Sequence, residues 1–202
     1  MKIMINAVFI VHKNTRKSQC GARVMYDCSL GMKEVELFGG AARCVLPPDW
    51  LDASSFRDVP DHQEVYIHPT AKGEQSVIIE LLEYEAKITD CEAGTYYFND
   101  LANADGASSS TIDENIASLS ERVIFGQDVT VISISGVQVK GKLGPESPTM
   151  PVVVLMSLIR APHIHSDILV TCHSFPEFAS EIQVIHNSVM GSLRFVDEGL
   201  FA

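Results

Sequence analysis

Two almost unbroken apolar runs, Pro151 to Arg160 and Asp167 to His173, constrain the fold of this chain more than any other feature. Both are rich in Val, Ile and Leu, and neither approaches the ~20 apolar residues that a membrane-spanning helix needs. They read as strands. A strand with one wet face alternates apolar with polar residues, so an unbroken run predicts cover on both faces. The cover is visible downstream. Ser174-x-x-Glu177 has the form of a capping box, and Phe178, Ile182, Ile185, Val189 and Leu193 follow as a helical stripe. Val129 to Lys140 adds a further Val/Ile/Ser-rich strand, with the Gly/Pro-punctuated segment Gly141 to Met150 as a loop. Upstream, Thr111-x-x-Glu114 with Ile112, Ile116, Leu119 and Val123 predicts a second short amphipathic helix.

The earlier part of the chain reads as shorter strands. Val35 to Phe38, Gly39-Gly40 and Ala41 to Leu46 give strand, turn, strand, and Pro47-Pro48 ends the unit. Asp52 caps a single helical turn through Ala53 to Arg57, and Pro60-Asp61 makes the next turn. Glu64 to His68 and Ser76 to Glu85 are two more strands, the second decided by the β-branched Val77-Ile78-Ile79. Helices do not alternate regularly with these strands. The expected class is therefore α+β: an αβα sandwich with a largely antiparallel sheet and helices on both faces. With 202 residues, 46% of them hydrophobic, the chain has the material for one domain with a substantial core.

Charge divides the chain. Residues 1–31 carry five basic residues against Asp27 alone, a net +4, whereas 32–202 carry ten basic against 25 acidic, a net −15. A body this acidic repels nucleic acid and anionic membranes and suits a basic macromolecular partner. The first 31 residues are read as a basic, variable extension and 32–202 as the single domain. Within the extension, Ile3 to Val11 is followed by His12-Lys13-Asn14 instead of a small-residue cleavage site, which argues against a secretory leader. Five cysteines without paired spacing read as reduced thiols, in keeping with a nuclear or cytoplasmic protein.

No catalytic constellation is legible. Leu37-Phe38-Gly39-Gly40 lacks both the Walker lysine and the third Rossmann glycine, and no Ser stands in a Gly-x-Ser-x-Gly elbow. His163, His165 and His173 with Cys172 form the best metal candidate. It is a poor one, because neighbours Cys172 and His173 on one strand point to opposite faces. Neither an enzyme, a cofactor nor a metal site is expected. What remains is a set of carboxylates, Asp52, Asp58, Asp61 and Glu64, with Glu80 and Glu83 on the following strand. On a regular strand the last two face opposite sides.

These residues also carry a resemblance. Glu34-Val35-Glu36-Leu37-Phe38-Gly39-Gly40-Ala41, Leu46-Pro47-Pro48, Asp52-Ala53-Ser54 and Arg57 to Tyr66 (RDVPDHQEVY) resemble the Ran guanine-nucleotide release factor (Mog-type) family. Ser76 to Glu83, Tyr97 to Leu101, Leu158 to Arg160, Ser166 to Thr171 and Phe195 to Ala202 continue the likeness. It spans roughly 34–202; the stretch 103–128 is not recognisable, and 1–31 lies outside it. The resemblance implies the fold shared with PsbP proteins, an antiparallel sheet sandwiched by helices. It further implies a monomer of the nucleus and cytoplasm that binds the small GTPase Ran, promotes guanine nucleotide release and supports nuclear protein import. The implied Ran-binding surface comprises Asp52, Arg57, Asp58, Asp61, Glu64, Glu80 and Glu83. The alternative is a PsbP-like assembly or scaffold domain with no GTPase partner.

Overall fold

The computed structural model describes residues 31–71, 73–113, 118–140 and 149–201. The expected basic extension, apart from Gly31, lies outside the described residues. In chain order the elements are β1 (Lys33–Leu37), β2 (Ala42–Leu46), β3 (Leu51–Asp52), β4 (Gln63–Thr70), β5 (Gly73–Glu83), α1 (Asp90–Ala104), β6 (Ala107–Ile112), β7 (Ser118–Ile124), β8 (Gln127–Lys140), β9 (Met150–Ala161), β10 (Ser166–Ser174), α2 (Ala179–Ser192) and β11 (Arg194–Phe195). Among the described residues they form an eight-stranded sheet, ordered β3-β4-β5-β10-β9-β8-β6 with β7 also on β8, and a three-stranded sheet β1-β2-β11. Each pairing is antiparallel.

β9 and β10 lie at the centre of the large sheet, as their unbroken apolarity requires. Alternate residues go to opposite layers. Ile168, Val170 and Cys172 of β10 join Val77, Ile79 and Ile159 in a cluster that receives Ile182, Ile185 and Val189 of α2. Leu169 points the other way, into a cluster with Ile132, Ile134, Met156 and Leu158 that is closed by Ala93, Tyr97 and Phe98 of α1. One helix on each face is the expected αβα sandwich.

The helix expected over 111–123 is not formed; β6 and β7 occupy its described part, both paired along β8. The reason is visible in burial: Leu119 is 63% and Val123 62% exposed, so the supposed apolar stripe has nothing to face. β8, at 14 residues, instead offers a long row of backbone groups that both segments satisfy. Glu114 and Ile116 lie outside the described residues. The second helix of the sandwich is α1, which the sequence reading overlooked. Its start is marked by Thr89, whose backbone N–H and hydroxyl donate to Glu92 Oε2 at 3.4 and 2.7 Å. Gly94 disguises it as a loop, yet glycine is required there: a Cβ would stand 2.5 Å from Ile134 Cδ1. The α2 stripe is as expected, but Ser174 is no cap. It belongs to β10 and accepts Gln75 Nε2 at 3.0 Å, and α2 begins only after a 3-10 turn over Pro176–Phe178.

A buried ion-pair network fixes α1 to the sheet. Arg160 Nε lies 3.3 Å from Asp167 Oδ1, its Nη1 donates to Asp90 Oδ1 (2.9 Å) and Ile88 O (2.6 Å), and its Nη2 donates to Glu85 O (2.7 Å). Tyr97 Oη donates to the other Asp167 oxygen at 2.8 Å, and the Tyr84 ring lies 4.6 Å from the Arg160 guanidinium. Both members of the central pair are almost wholly buried, which demands this many partners.

Candidate functional site

Several carboxylates converge where the two sheets meet. The turn after β1 and the β3–β4 edge of the large sheet enclose an open cleft of about 440 Å³, lined by Glu36, Phe38, Gly39, Asp52, Asp61 and Glu64 among others. Its placement follows from local structure. Leu37 points inward and is fully buried, so its neighbour Glu36 points out. Asp52 accepts the Ser54 N–H at 2.8 Å, capping a 3-10 turn over Ala53–Ser55 as expected and leaving its second oxygen outward. Pro60 O accepts Gln63 N–H at 2.9 Å, which makes the turn that exposes Asp61.

Glu64 differs from its neighbours. It is half-buried on β4, and its carboxylate accepts the backbone N–H of Phe38 from the other sheet. Burial pushes its carboxyl above the ordinary range; the Phe38 hydrogen bond opposes this and nearby Asp52 adds to it. Beneath it, burial and then Glu64 push the Cys44 thiol up to about 12, so that group is an inert small hydrophobe. Burial, followed by Glu64 and Asp52, likewise raises Tyr66, whose Oη donates to Glu36 O at 3.4 Å.

The structure brings together only part of the implied set. Asp52, Asp61 and Glu64 share the cleft, and Glu36, which the sequence reading passed over, joins them. The signal was present in the alternation of β1, where Val35 and Leu37 leave Glu34 and Glu36 on the outer face. Glu36 is also 3.1 Å from Arg43 Nη2. Arg57 turns away, its Nη1 3.0 Å from Glu74 Oε1, and Asp58 is exposed outside the cleft lining. Glu80 lies on the opposite face of the sheet from Glu64, where its Oε1 accepts Gln63 Nε2 at 2.7 Å and stands 3.4 Å from His62 Nε2. Glu83 ends β5, exposed and paired in register with Ser166. The pairing of β5 is regular, so Glu80 and Glu83 point to opposite sides. As for the histidines, His163 and His165 sit in the turn between β9 and β10, while His173 faces Ser76 and Cys172 the α2-side core. Among the described residues no three of His, Cys, Asp and Glu are grouped to hold a metal ion.

Residues 35–174 match the family model described as Ran-interacting Mog1 protein. The chain belongs to this Mog1 family. It is 33% identical over 182 residues to the zebrafish (Danio rerio) Ran guanine nucleotide release factor, a match covering 82% of this chain and 97% of that protein. It is 34% identical to the nuclear import protein mog1 of Schizosaccharomyces pombe, over 69% of this chain and 75% of that one. Among solved structures it is similar to the Saccharomyces cerevisiae Ran-binding protein Mog1p, with a TM-score of 0.63 and 27% identity over 86% of this chain and all of that one. A cyanobacterial PsbP shares the fold, at a TM-score of 0.53 and 10% identity over 89% of this chain and 98% of that one. The residues matched by the family model include all those named in the lining of the acidic cleft.

Proposed function

We propose that this Mog1-family chain binds the GTPase Ran through the acidic cleft, promotes release of its guanine nucleotide and thereby supports nuclear protein import. The observation that carries the reading is the convergence of Glu36, Asp52, Asp61 and Glu64 on one cleft in a chain of this family. A GTPase holds its nucleotide with a lysine, backbone amides and Mg²⁺, all positive or dipolar groups. A surface rich in carboxylates competes for basic groups of that kind. A binder that prefers the nucleotide-free form promotes release by that preference alone, with no catalytic residue of its own. The field of the −15 body speeds the encounter and makes it sensitive to salt. The chain acts as a monomer, in the nucleus and cytoplasm, and the exposed Arg57 and Asp58, between Asp52 and Asp61 in the chain, serve as the outer rim of the interface.

The test is a titration with purified Ran, loaded with GTP or GDP, at two salt concentrations, alongside release of a fluorescent nucleotide. Asp61→Lys combined with Asp52→Asn, which keeps the capping oxygen, is expected to weaken binding by the equivalent of about 2–5 kcal/mol. Melting is expected to shift by no more than a few degrees, since both side chains are exposed. The control is Glu177→Lys with Glu181→Lys near the start of α2. Equal weakening by the control reduces the effect to net charge, and absence of wild-type binding at every salt concentration refutes the reading.

A further inference from the structure

The two walls of the cleft belong to different sheets, and this raises the question of what holds them at a fixed separation. One wall is the Phe38-Gly39-Gly40 turn that follows β1 of the small sheet. The other is β3 and β4 at the edge of the large sheet. The turn is conformationally costly. Phe38 has φ 50°, Gly39 64° and Gly40 96°, and a non-glycine residue in the left-handed region persists only when its surroundings hold it there. The holding group at Phe38 is the Glu64 carboxylate, which crosses 26 residues of sequence to accept the Phe38 N–H. A second hydrogen bond crosses beside it, from Tyr66 Oη to Glu36 O at 3.4 Å.

Building on the proposed Ran-binding reading, we infer that Glu64 is a positioning residue that latches the Phe38-Gly39-Gly40 turn to β4 and so shapes the cleft, while the exposed carboxylates Asp52 and Asp61 meet the partner. Three observations separate Glu64 from those two. It is half-buried where they are exposed, and its carboxylate is engaged with a backbone amide of the opposite wall. Its hydrogen-bond partner is also 26 residues away in the chain, whereas Asp52 accepts from Ser54 only two residues on, an arrangement that suits an anchor between two walls better than a group offered to a partner. A pre-set cleft spares the ordering cost that a loose turn would impose on binding. What the latch requires is an acceptor oxygen in this place, not a negative charge.

That distinction sets the experiment. Glu64→Gln keeps an oxygen that accepts the Phe38 N–H and removes the charge, whereas Glu64→Ala removes both. Ran affinity is measured for each, with hydrogen exchange of the 38–41 amides in the free protein. The latch predicts a loss on the order of tenfold to a hundredfold for Glu64→Ala, the range that corresponds to a lost charge-assisted hydrogen bond. It predicts recovery to within about fivefold of wild type for Glu64→Gln, the residue reflecting one lost surface charge. Exchange at Phe38 is expected to quicken in Glu64→Ala alone. If Glu64→Gln is as weak as Glu64→Ala while its Phe38 amide stays protected, the charge itself contacts the partner and the inference is overturned. Should Glu64→Ala fail to fold, the wild type decides by NMR: the Phe38 amide shift must follow the Glu64 titration, and a shift that ignores it overturns the latch. If the wild-type chain does not bind Ran at all, the functional reading falls, and the exchange and NMR results still judge the latch in isolation.

Discussion

Acid should destabilise this protein through one histidine in particular. His186 of α2 is 6% exposed, and its Nε2 lies 3.1 Å from Ser157 Oγ, which in turn lies 2.8 Å from Ser133 Oγ. Its Nδ1 is buried without a hydrogen-bond partner. A second proton on this ring would be held between α2 and the sheet, largely out of water, and burial lowers its pKa from 6.5 to about 4 although the neighbouring Asn187 side chain opposes the shift. Below pH 6.5 the unfolded chain takes up a proton that the folded protein refuses until about pH 4. The group's contribution is therefore undiminished near pH 7, falls through this window and levels off below it. The gap between those two values amounts to about 3 kcal/mol, a large share of a typical domain's stability. Glu64 acts in the opposite sense. Its folded pKa is raised, so its contribution is present at low pH and is lost as pH rises through the folded value. A comparison with His186→Gln cancels this and every other shared titration. Denaturant unfolding of both proteins at pH 7, 6, 5 and 4 is expected to show the variant gaining about 3 kcal/mol relative to wild type on acidification, whatever its offset at pH 7. Parallel stability profiles would refute the assignment, as would an NMR titration of His186 near its ordinary value.

Further outcomes follow from packing. Gly136→Ala places a Cβ 2.2 Å from the Thr111 carbonyl oxygen and 2.6 Å from Phe98 Cζ, so β6 must shift or detach; a loss of about 3 kcal/mol or more is expected by denaturant unfolding. Asp167→Asn removes the buried counter-charge of Arg160, and a loss of about 3 kcal/mol is expected, with early exchange at the α1 amides as its local sign. A chain starting at Met32 is expected to melt and to bind Ran like the full chain. A loss of either would bring Ile3 to Val11 into the fold.

How much of this was legible beforehand depends on the range of the interactions involved. The central strands and the α2 stripe follow from the spacing of Ile182, Ile185 and Val189 and from the unbroken runs of β9 and β10, because hydrophobic periodicity reports directly which sides of an element are covered. The caps at Asp52 and Thr89 are equally local, although the latter was overlooked. By itself, then, the sequence determined the sandwich, its two covered faces and the acidity of the body. The residues at 111–123 could not be decided in this way. Their spacing suits a helix, and only β8, with unsatisfied backbone groups along its edge, drew the described ones into β6 and β7. The site divides along the same line. Asp52, Asp61 and Glu64 stand close in the chain, whereas Glu36 enters the cleft, and Glu64 reaches Phe38, only because one sheet is laid against another. Tertiary structure alone also separated Glu80 and Glu83 from the cleft and turned Arg57 toward Glu74, since strand direction and sheet packing, not sequence distance, set which side chains meet.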